Sequence, residues 1–140
     1  MERYLLDTNI IVQHVTDQEF TEDVRYMLAY SGAMFYVSSE SIKELIALLQ
    51  YDYSHVDTKK YDLHPDNVVQ YVEDVLGYYI KYVDAGHLKQ LGKLPAYDNH
   101  SDPADRMIIA QAIAEHLPVI TSDTKFRYYK KHGLEIIWNR

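Results

Sequence analysis

Four acidic residues of this 140-residue sequence stand at positions where carboxylates could act together. Asp7 follows a short apolar run near the N-terminus, and Asp123 follows a second such run near the C-terminus. Asp105 and Glu44 each stand near the start of a segment with helical apolar spacing. Carboxylates in one small cleft repel each other, and a divalent cation removes that cost. Because Mg²⁺ and Mn²⁺ prefer carboxylate and water oxygen, the set indicates metal-assisted chemistry on phosphate.

The segments that must position these acids are predicted to be strands that alternate with helices. Short apolar runs predict strands at Tyr4–Leu6, Met34–Val37, Pro118–Thr121 and Leu134–Trp138. Helical spacing or capping signals predict helices at Glu19–Tyr30, around the stripe Ile42–Leu49, at Asp66–Tyr82, at Ala85–Leu91, from Asp102 onward and at Phe126–His132. Residues 51–64 and 93–101 are predicted to be loops.

This alternation predicts an α/β fold with a central parallel sheet of four to five strands flanked by helices. In such a sheet, the carboxyl ends of the strands and the amino ends of the helices share one edge, where ligands bind. The four acids are therefore expected to meet there, although almost 120 positions separate the first from the last.

Each acid taken alone is more readily explained as a helix cap. Asp7 and Asp123 stand where an N-cap is expected, and Ser41–Glu44 matches a capping box. Asp105 stands three residues after Asp102, which is itself predicted to be the N-cap of its helix or else an outer acid of the site. One feature is not required by capping, since Asp105 heads the inward apolar stripe Ile108, Ile109 and Ala112.

Composition excludes several classes of protein. With 47% hydrophobic residues, the chain can bury a core, and a single domain over residues 1–140 is expected. It has no cysteine, which excludes disulfides, thiolate metal sites and cysteine nucleophiles, and makes zinc a poor fit. No run approaches the ~18 apolar residues of a membrane span. The N-terminus lacks the pattern of a signal peptide, so a cytoplasmic protein is expected.

Charge is unevenly distributed along the chain. The net charge is −7, but the segment from Lys125 to Arg140 carries +4, which leaves −11 on the remaining residues. Lys125, Arg127 and Lys130 form either a solvated helix face or a patch that contacts RNA phosphates.

Several segments together resemble the PIN domain, particularly the VapC-type toxins of bacterial toxin–antitoxin modules. They are YLLDTNIIV, SSESIKELIAL, HSDPADRMIIAQAIAEHLPVITSD and TKFRYYKKHGLEIIW, in that order along nearly the whole chain. Carried over position by position, the acids of the family correspond to Asp7, Glu44, Asp105 and Asp123. Asn9 and Thr121 take the accompanying polar positions, where they would orient a carboxylate or a metal-bound water.

The resemblance implies a Rossmann-like PIN fold, a three-layer sandwich, and hydrolysis of RNA with Mg²⁺ or Mn²⁺ held by Asp7, Asp105 and Asp123. It also implies a homodimer and a small antitoxin protein that blocks the site. The open alternative is a PIN-like RNA-binding or regulatory module that has little catalytic activity and acts through a partner.

Other assignments are weaker. A dehalogenase-like phosphatase would need an aspartate two residues after Asp7, where this chain has Asn9. Arg106 is expected to contact either a phosphate or a neighbouring carboxylate, and His100 and His116 are expected at the surface. The tyrosine-rich segment 51–94 is the least recognisable and is a candidate for dimer or antitoxin contacts.

Overall fold

A computed structural model describes residues 2–30, 32–51 and 56–140. Its centre is a five-stranded parallel sheet made of β1 (Glu2–Leu6), β2 (Ala33–Ser38), β3 (Tyr79–Lys81), β4 (Val119–Thr121) and β5 (Ile136–Trp138). The spatial order is β3–β2–β1–β4–β5. The chain thus adds β2 and β3 on one side of β1, and then returns to add β4 and β5 on the other side. The topological switch point, where parallel sheets form ligand crevices, lies between β1 and β4.

Helices cover the sheet. They are α1 (Thr8–Val15), α2 (Glu22–Ala29), α3 (Ser39–Tyr51), α4 (Thr58–Tyr61), α5 (Val68–Gln70), α6 (Ala85–Lys93) and α7 (Pro103–Glu115). A π-helical turn, Tyr71–Val75, continues α5, and a 3₁₀ helix, Thr124–His132, lies between β4 and β5. Within the described ranges, no helix is long and apolar enough to cross a membrane.

The hydrophobic core has two halves, one on each face of the sheet. Successive side chains of a strand point to opposite faces. Leu6 accordingly packs in a cluster with α1, α2 and α3, while Leu5 packs in a second cluster with α7 and the 3₁₀ helix. Both leucines are completely buried. This arrangement confirms the predicted α/β fold with a parallel sheet between two helical layers.

The predicted helix Asp66–Tyr82 is wrong over its second half. Helical structure ends with the π-turn, and Gly77 adopts φ +72°, a left-handed conformation that ends the helix. The chain then forms β3, whose Tyr79 pairs with Tyr36 at the edge of the sheet. Asp66 is not the N-cap either, since that position belongs to Asn67.

The predicted capping box at Ser41–Glu44 is also wrong. Helix α3 begins at Ser39, and the Ser38 hydroxyl accepts the backbone N–H of Glu40 at 3.1 Å. Ser41 is therefore buried inside the first turns of the helix. The predicted loop at 51–64 contains α4, and its residues 52–55 lie outside the described residues.

Candidate active site

Asp7 lies at the junction of β1 and α1 and is almost fully buried, with 3% of its surface exposed. Its Oδ1 accepts the backbone N–H of Thr8 at 2.8 Å, so the capping interpretation is correct. Its Oδ2 accepts the hydroxyl of Thr121 at 2.7 Å. The same Thr121 oxygen accepts the backbone N–H of Asp123 at 2.9 Å. One threonine therefore links the ends of β1 and β4 and fixes the first and fourth acids relative to each other.

Glu44 reaches the site from α3. Thr8 donates its hydroxyl proton to Glu44 Oε1 at 3.1 Å, and the Thr8 and Ser41 hydroxyl oxygens lie 2.7 Å apart. Because Thr8 has one proton to give, Ser41 is the donor in the second bond. Ser41 thus orients the hydroxyl of Thr8, and Thr8 in turn orients the carboxylate of Glu44.

Asp105 and Asp123 approach the cleft from the amino ends of α7 and the 3₁₀ helix. Their carboxylate oxygens and a ring nitrogen of His100 lie within 4.8 Å of one another. Asp123 Oδ1 also accepts the backbone N–H of Lys125 at 2.9 Å, so it caps its helix while it lines the site. Asp102 is exposed and caps α7 by accepting the N–H groups of Ala104 and Asp105, which confirms the predicted N-cap.

The electrostatics of the cluster are those of crowded acids. Burial raises the pKa of Asp7 to about 7; the hydrogen bond from Thr121 opposes this rise, and the charge of Asp105 adds to it. Burial likewise raises the pKa of Glu44, against the hydrogen bond from Thr8. Burial also raises the pKa of Asp105, and the charge of Asp102 adds to that rise. Each shift has the direction expected for carboxylates that are buried close to one another.

The acids share one cleft of about 290 Å³. It is lined by Asp7, Thr8, Asn9, Val12, Glu44, Asp105 and Asp123. The structure thus brings all four predicted acids together. Asn9 joins them with a buried Oδ1 that has no hydrogen-bond partner among the described residues. Thr121 contributes through its bond to Asp7.

His100 is not at the surface, contrary to expectation. It is 3% exposed, and its ring packs edge-on against Phe126 and Tyr129. Arg106 does not pair with a carboxylate among the described residues, which was one of the two predicted contacts. Its Nη1 donates to the Pro95 carbonyl at 2.8 Å and to the Tyr129 hydroxyl at 3.1 Å. His116 is exposed, as predicted.

The predicted basic patch lies on the 3₁₀ helix that begins after Asp123. Lys125, Arg127 and Lys130 are all exposed on it. The guanidinium of Arg127 lies 5.4 Å from the ring centre of Tyr128. The helix that carries the patch thus begins directly after Asp123, which lines the acidic cleft.

Sequence reasoning missed Ser41, His100 and Tyr129. Ser41 was assigned to a cap because serine followed by Glu44 three positions later also fits a helix start. His100 lies in the segment 93–101, which has no apolar periodicity from which burial could be inferred. Its place just before the Asp102–Asp105 motif was the available signal, because that loop has to cross the carboxyl edge of the sheet.

Comparisons with known proteins give the family. The PIN domain family model matches residues 4–132. No curated protein matches the chain.

Solved structures with the same fold include three VapBC structures. One is VapBC2 from Rickettsia felis, bound to a DNA fragment from its promoter, with TM-score 0.70, 18% identity, and 97% of this chain and 98% of that chain covered. Another is DNA-bound VapBC from Salmonella typhimurium, with TM-score 0.71, 20% identity and complete coverage of both chains. VapBC-5 from Mycobacterium tuberculosis, a member of the VapBC family of toxin–antitoxin systems, matches with TM-score 0.62 and 18% identity over 100% of this chain and 99% of that chain.

At identities of 18–20%, the structural matches establish the fold alone, whereas the family model is matched by the amino-acid sequence itself. The family model covers most of the chain and includes all four acids of the cleft. This chain therefore belongs to the PIN-domain family.

Proposed function

We propose that the protein is an endoribonuclease that hydrolyses RNA phosphodiester bonds with the help of Mg²⁺ or Mn²⁺. The observation that carries the proposal is the meeting of four carboxylates in one cleft at the switch point of the sheet. Helix capping accounts for Asp7 and Asp123 individually but does not account for their meeting with Glu44 and Asp105. Binding of one shared cation would account for all four carboxylates in the same cleft.

The residues of the cleft fit a hard divalent cation. Asp7, Asp105 and Asp123 would hold it, and each offers only carboxylate oxygen, which Mg²⁺ and Mn²⁺ prefer. The raised pKa of Asp7, caused first by burial, marks a negative charge that the fold alone does not compensate. The buried Asn9 Oδ1, unpaired in the described part of the chain, is a further oxygen suited to a cation or its water.

When bound, such a cation lowers the pKa of a water molecule and neutralises charge at the phosphate that reacts. The chain's own residues have the task of orientation. Thr121 fixes Asp7 through Oδ2 and Asp123 through its backbone N–H. Thr8 fixes Glu44 through Oε1. The carboxylates are therefore held in place before substrate arrives, which lowers the reorganisation needed for reaction.

The basic 3₁₀ helix supports a polymeric substrate. Lys125, Arg127 and Lys130 would contact phosphates next to the scissile one, because their helix begins at Asp123. A chain of net charge −7 needs such a local patch to hold RNA near an acidic cleft.

We extend the proposal to biological role. The fold likeness to VapBC structures supports a toxin of a toxin–antitoxin pair that acts in the cytoplasm as a homodimer and is blocked by a small antitoxin protein. A module that binds RNA without cleaving it remains the alternative.

RNA cleavage by purified protein tests the proposal. Single-stranded RNA should be cut with Mg²⁺ or Mn²⁺ and left intact with EDTA. Asp7→Asn should be folded by circular dichroism yet inactive, since Asn still accepts the cap bond from Thr8. RNA that stays intact with either metal but is retained in a gel-shift assay would favour the binding module. Undiminished cleavage in EDTA would overturn the metal requirement.

A further inference from the structure

His100 occupies an unusual position beside the acidic cleft. The ring is 97% buried, and among the described residues its Nε2 has no hydrogen-bond partner. That nitrogen points toward the site, 3.5 Å from Asp105 Oδ2. The distance exceeds the usual 2.7–3.2 Å of a nitrogen–oxygen hydrogen bond. Buried polar atoms nearly always have partners, so this nitrogen calls for an explanation.

The other ring nitrogen is firmly held. Nδ1 lies 2.7 Å from the hydroxyl oxygen of Tyr129, which in turn accepts a hydrogen bond from Arg106 at 3.1 Å. The arginine has no acceptor atom, so it can only donate. The tyrosine hydroxyl has one proton, and within the described part of the chain the acceptor in reach is Nδ1 of His100. Nδ1 therefore accepts, and a neutral ring carries its proton on Nε2.

This order of donors gives His100 a defined orientation and tautomer. Arg106 donates to Tyr129, Tyr129 donates to Nδ1, and the Nε2 that carries the proton lies 3.5 Å from Oδ2 of Asp105. The ring is further restrained by edge-on contacts with Phe126 and Tyr129, whose centroids lie 6.0 Å and 5.3 Å away. Arg106 is itself tied to the Pro95 carbonyl at 2.8 Å, which anchors the far end of the chain of bonds.

We propose that His100 is a positioning residue, which uses its Nε2 proton to orient Asp105 for metal binding, with its own tautomer set by Tyr129 and Arg106. This inference rests on the proposed function, because it assigns Asp105 the role of a metal ligand. This tautomer puts a proton, not a lone pair, on the nitrogen nearest Asp105, which assigns His100 the role of a donor to Asp105 instead of a metal ligand. Partners that orient metal ligands typically contribute 10- to 100-fold to metal affinity.

The first test is the tautomer of His100 in metal-free protein. Nitrogen-15 NMR of the histidine side chains in alkaline buffer distinguishes the two neutral tautomers from each other and from the charged ring. We expect a protonated Nε2 and a bare Nδ1. A protonated Nδ1 with a bare Nε2 would overturn the proposal and point to direct ligation by His100.

The second test is Mn²⁺ affinity by isothermal titration calorimetry. His100→Ala should weaken binding by about 10-fold or more. His100→Gln should restore most of the affinity, because the glutamine amide places a donor where Nε2 stood. His132→Gln is the matched control, since His132 belongs to the same aromatic cluster but bonds to Tyr97 instead of an acid. Wild-type affinity in folded His100→Ala would overturn the proposal.

Tyr129→Phe keeps the test decisive if His100→Ala fails to fold. This variant keeps the ring that packs on His100 and removes only the hydroxyl that sets its tautomer. We expect a mixture of tautomers and weaker Mn²⁺ binding. A pure Nε2–H tautomer with unchanged Mn²⁺ affinity would contradict the proposed chain of hydrogen bonds from Arg106 through Tyr129 to His100. If the wild type binds no Mn²⁺, the proposed function fails. The tautomer in metal-free protein still decides whether the chain of hydrogen bonds through Tyr129 sets the proton position on His100.

Discussion

A carboxyl buried as deeply as Asp7 is costly once it ionises, and its neighbours raise that cost. The hydrogen bonds from Thr8 and Thr121 offset part of it, yet burial still raises the pKa of Asp7 to about 7. The protein therefore retains at this position a group that weakens its metal-free fold. Strongly perturbed pKa values in a cleft are typical of functional sites.

The raised pKa of Asp7 predicts a pH-dependent stability in metal-free protein. The folded pKa of about 7 exceeds the usual aspartate value, so the folded state holds the proton more tightly. The stability contributed by the neutral carboxyl is complete below about pH 4 and is lost as pH rises through about 7. Asp7→Asn should remove this loss, which is on the order of 1 kcal/mol per pH unit.

Urea denaturation in EDTA, at about pH 5 and about pH 8, measures the effect. Relative to wild type, Asp7→Asn should have a higher free energy of unfolding at about pH 8 than at about pH 5. Asp17→Asn is the control, because the hydrogen bond from Lys60 lowers the pKa of Asp17. Removing that carboxylate should therefore not increase the free energy of unfolding at high pH. Parallel changes in wild type and Asp7→Asn would contradict the role assigned to burial.

At the scale of residues, the four acids and the supporting Thr121 were predictable, whereas Ser41 and His100 were not. An aspartate after a buried strand identifies itself by type and position, as Asp7 and Asp123 did. His100 could not be found in this way, since its burial results from tertiary contacts with Phe126 and Tyr129. Ser41 was misread because a local capping motif matched where α3 had already begun at Ser39.

At the scale of elements, local sequence pattern and tertiary structure disagree at one strand, β3. The sequence predicts four of the strands, whereas in place of the fifth, β3, it predicts part of a helix, because the apolar residues there continue a helical spacing. Its three residues form a strand through pairing with β2, and the backbone turn at Gly77 separates it from the π-turn. Short edge strands depend on a neighbour, which no local pattern reveals.

The turn at Gly77 yields a prediction with a matched control of opposite sign. Gly77 has φ +72° with open space around it, so Gly77→Ala should lose about 1–2 kcal/mol through backbone strain alone. Gly92 lies in α6, also with open space, so Gly92→Ala should gain about 0.5–1 kcal/mol. Thermal or urea unfolding measures both. Equal effects of the two variants would contradict the assigned backbone conformations.

The 3₁₀ helix predicts how RNA binding responds to salt. Replacing Lys125, Arg127 and Lys130 with alanine should weaken binding and flatten the dependence of log K on log salt by up to about 2, since each contacted phosphate of a single strand contributes ~0.7. Lys89→Ala with Lys93→Ala on α6 is the control, because both lysines are exposed there. An unchanged slope in the triple variant would show that the basic residues form only a solvated face.

At the scale of the whole molecule, the order β3–β2–β1–β4–β5 explains why distant residues meet. β1 is central, β2 and β4 flank it, and the helices that follow these strands begin at the same edge. Asp7 is held there by its backbone N–H bond to the Ile120 carbonyl at 3.0 Å. The alternation of strands and helices predicts a parallel sheet whose strand ends share one edge, so the meeting of the four acids there was predictable, although the strand order was not.

Cleavage of single-stranded RNA by Asp105→Asn and Asp102→Asn, with Mn²⁺, tests the central claim most directly. The two aspartates stand three positions apart, but Asp105 lines the cleft, while exposed Asp102 caps α7 from outside the cleft lining and acts on Asp105 through its charge. Asn caps a helix as well as Asp does, so Asp102→Asn should cleave like wild type. Asp105→Asn should lose more than the roughly 100-fold that loss of an outer-shell partner costs. Wild-type cleavage by folded Asp105→Asn would contradict the assignment of the acidic cleft as the nuclease site.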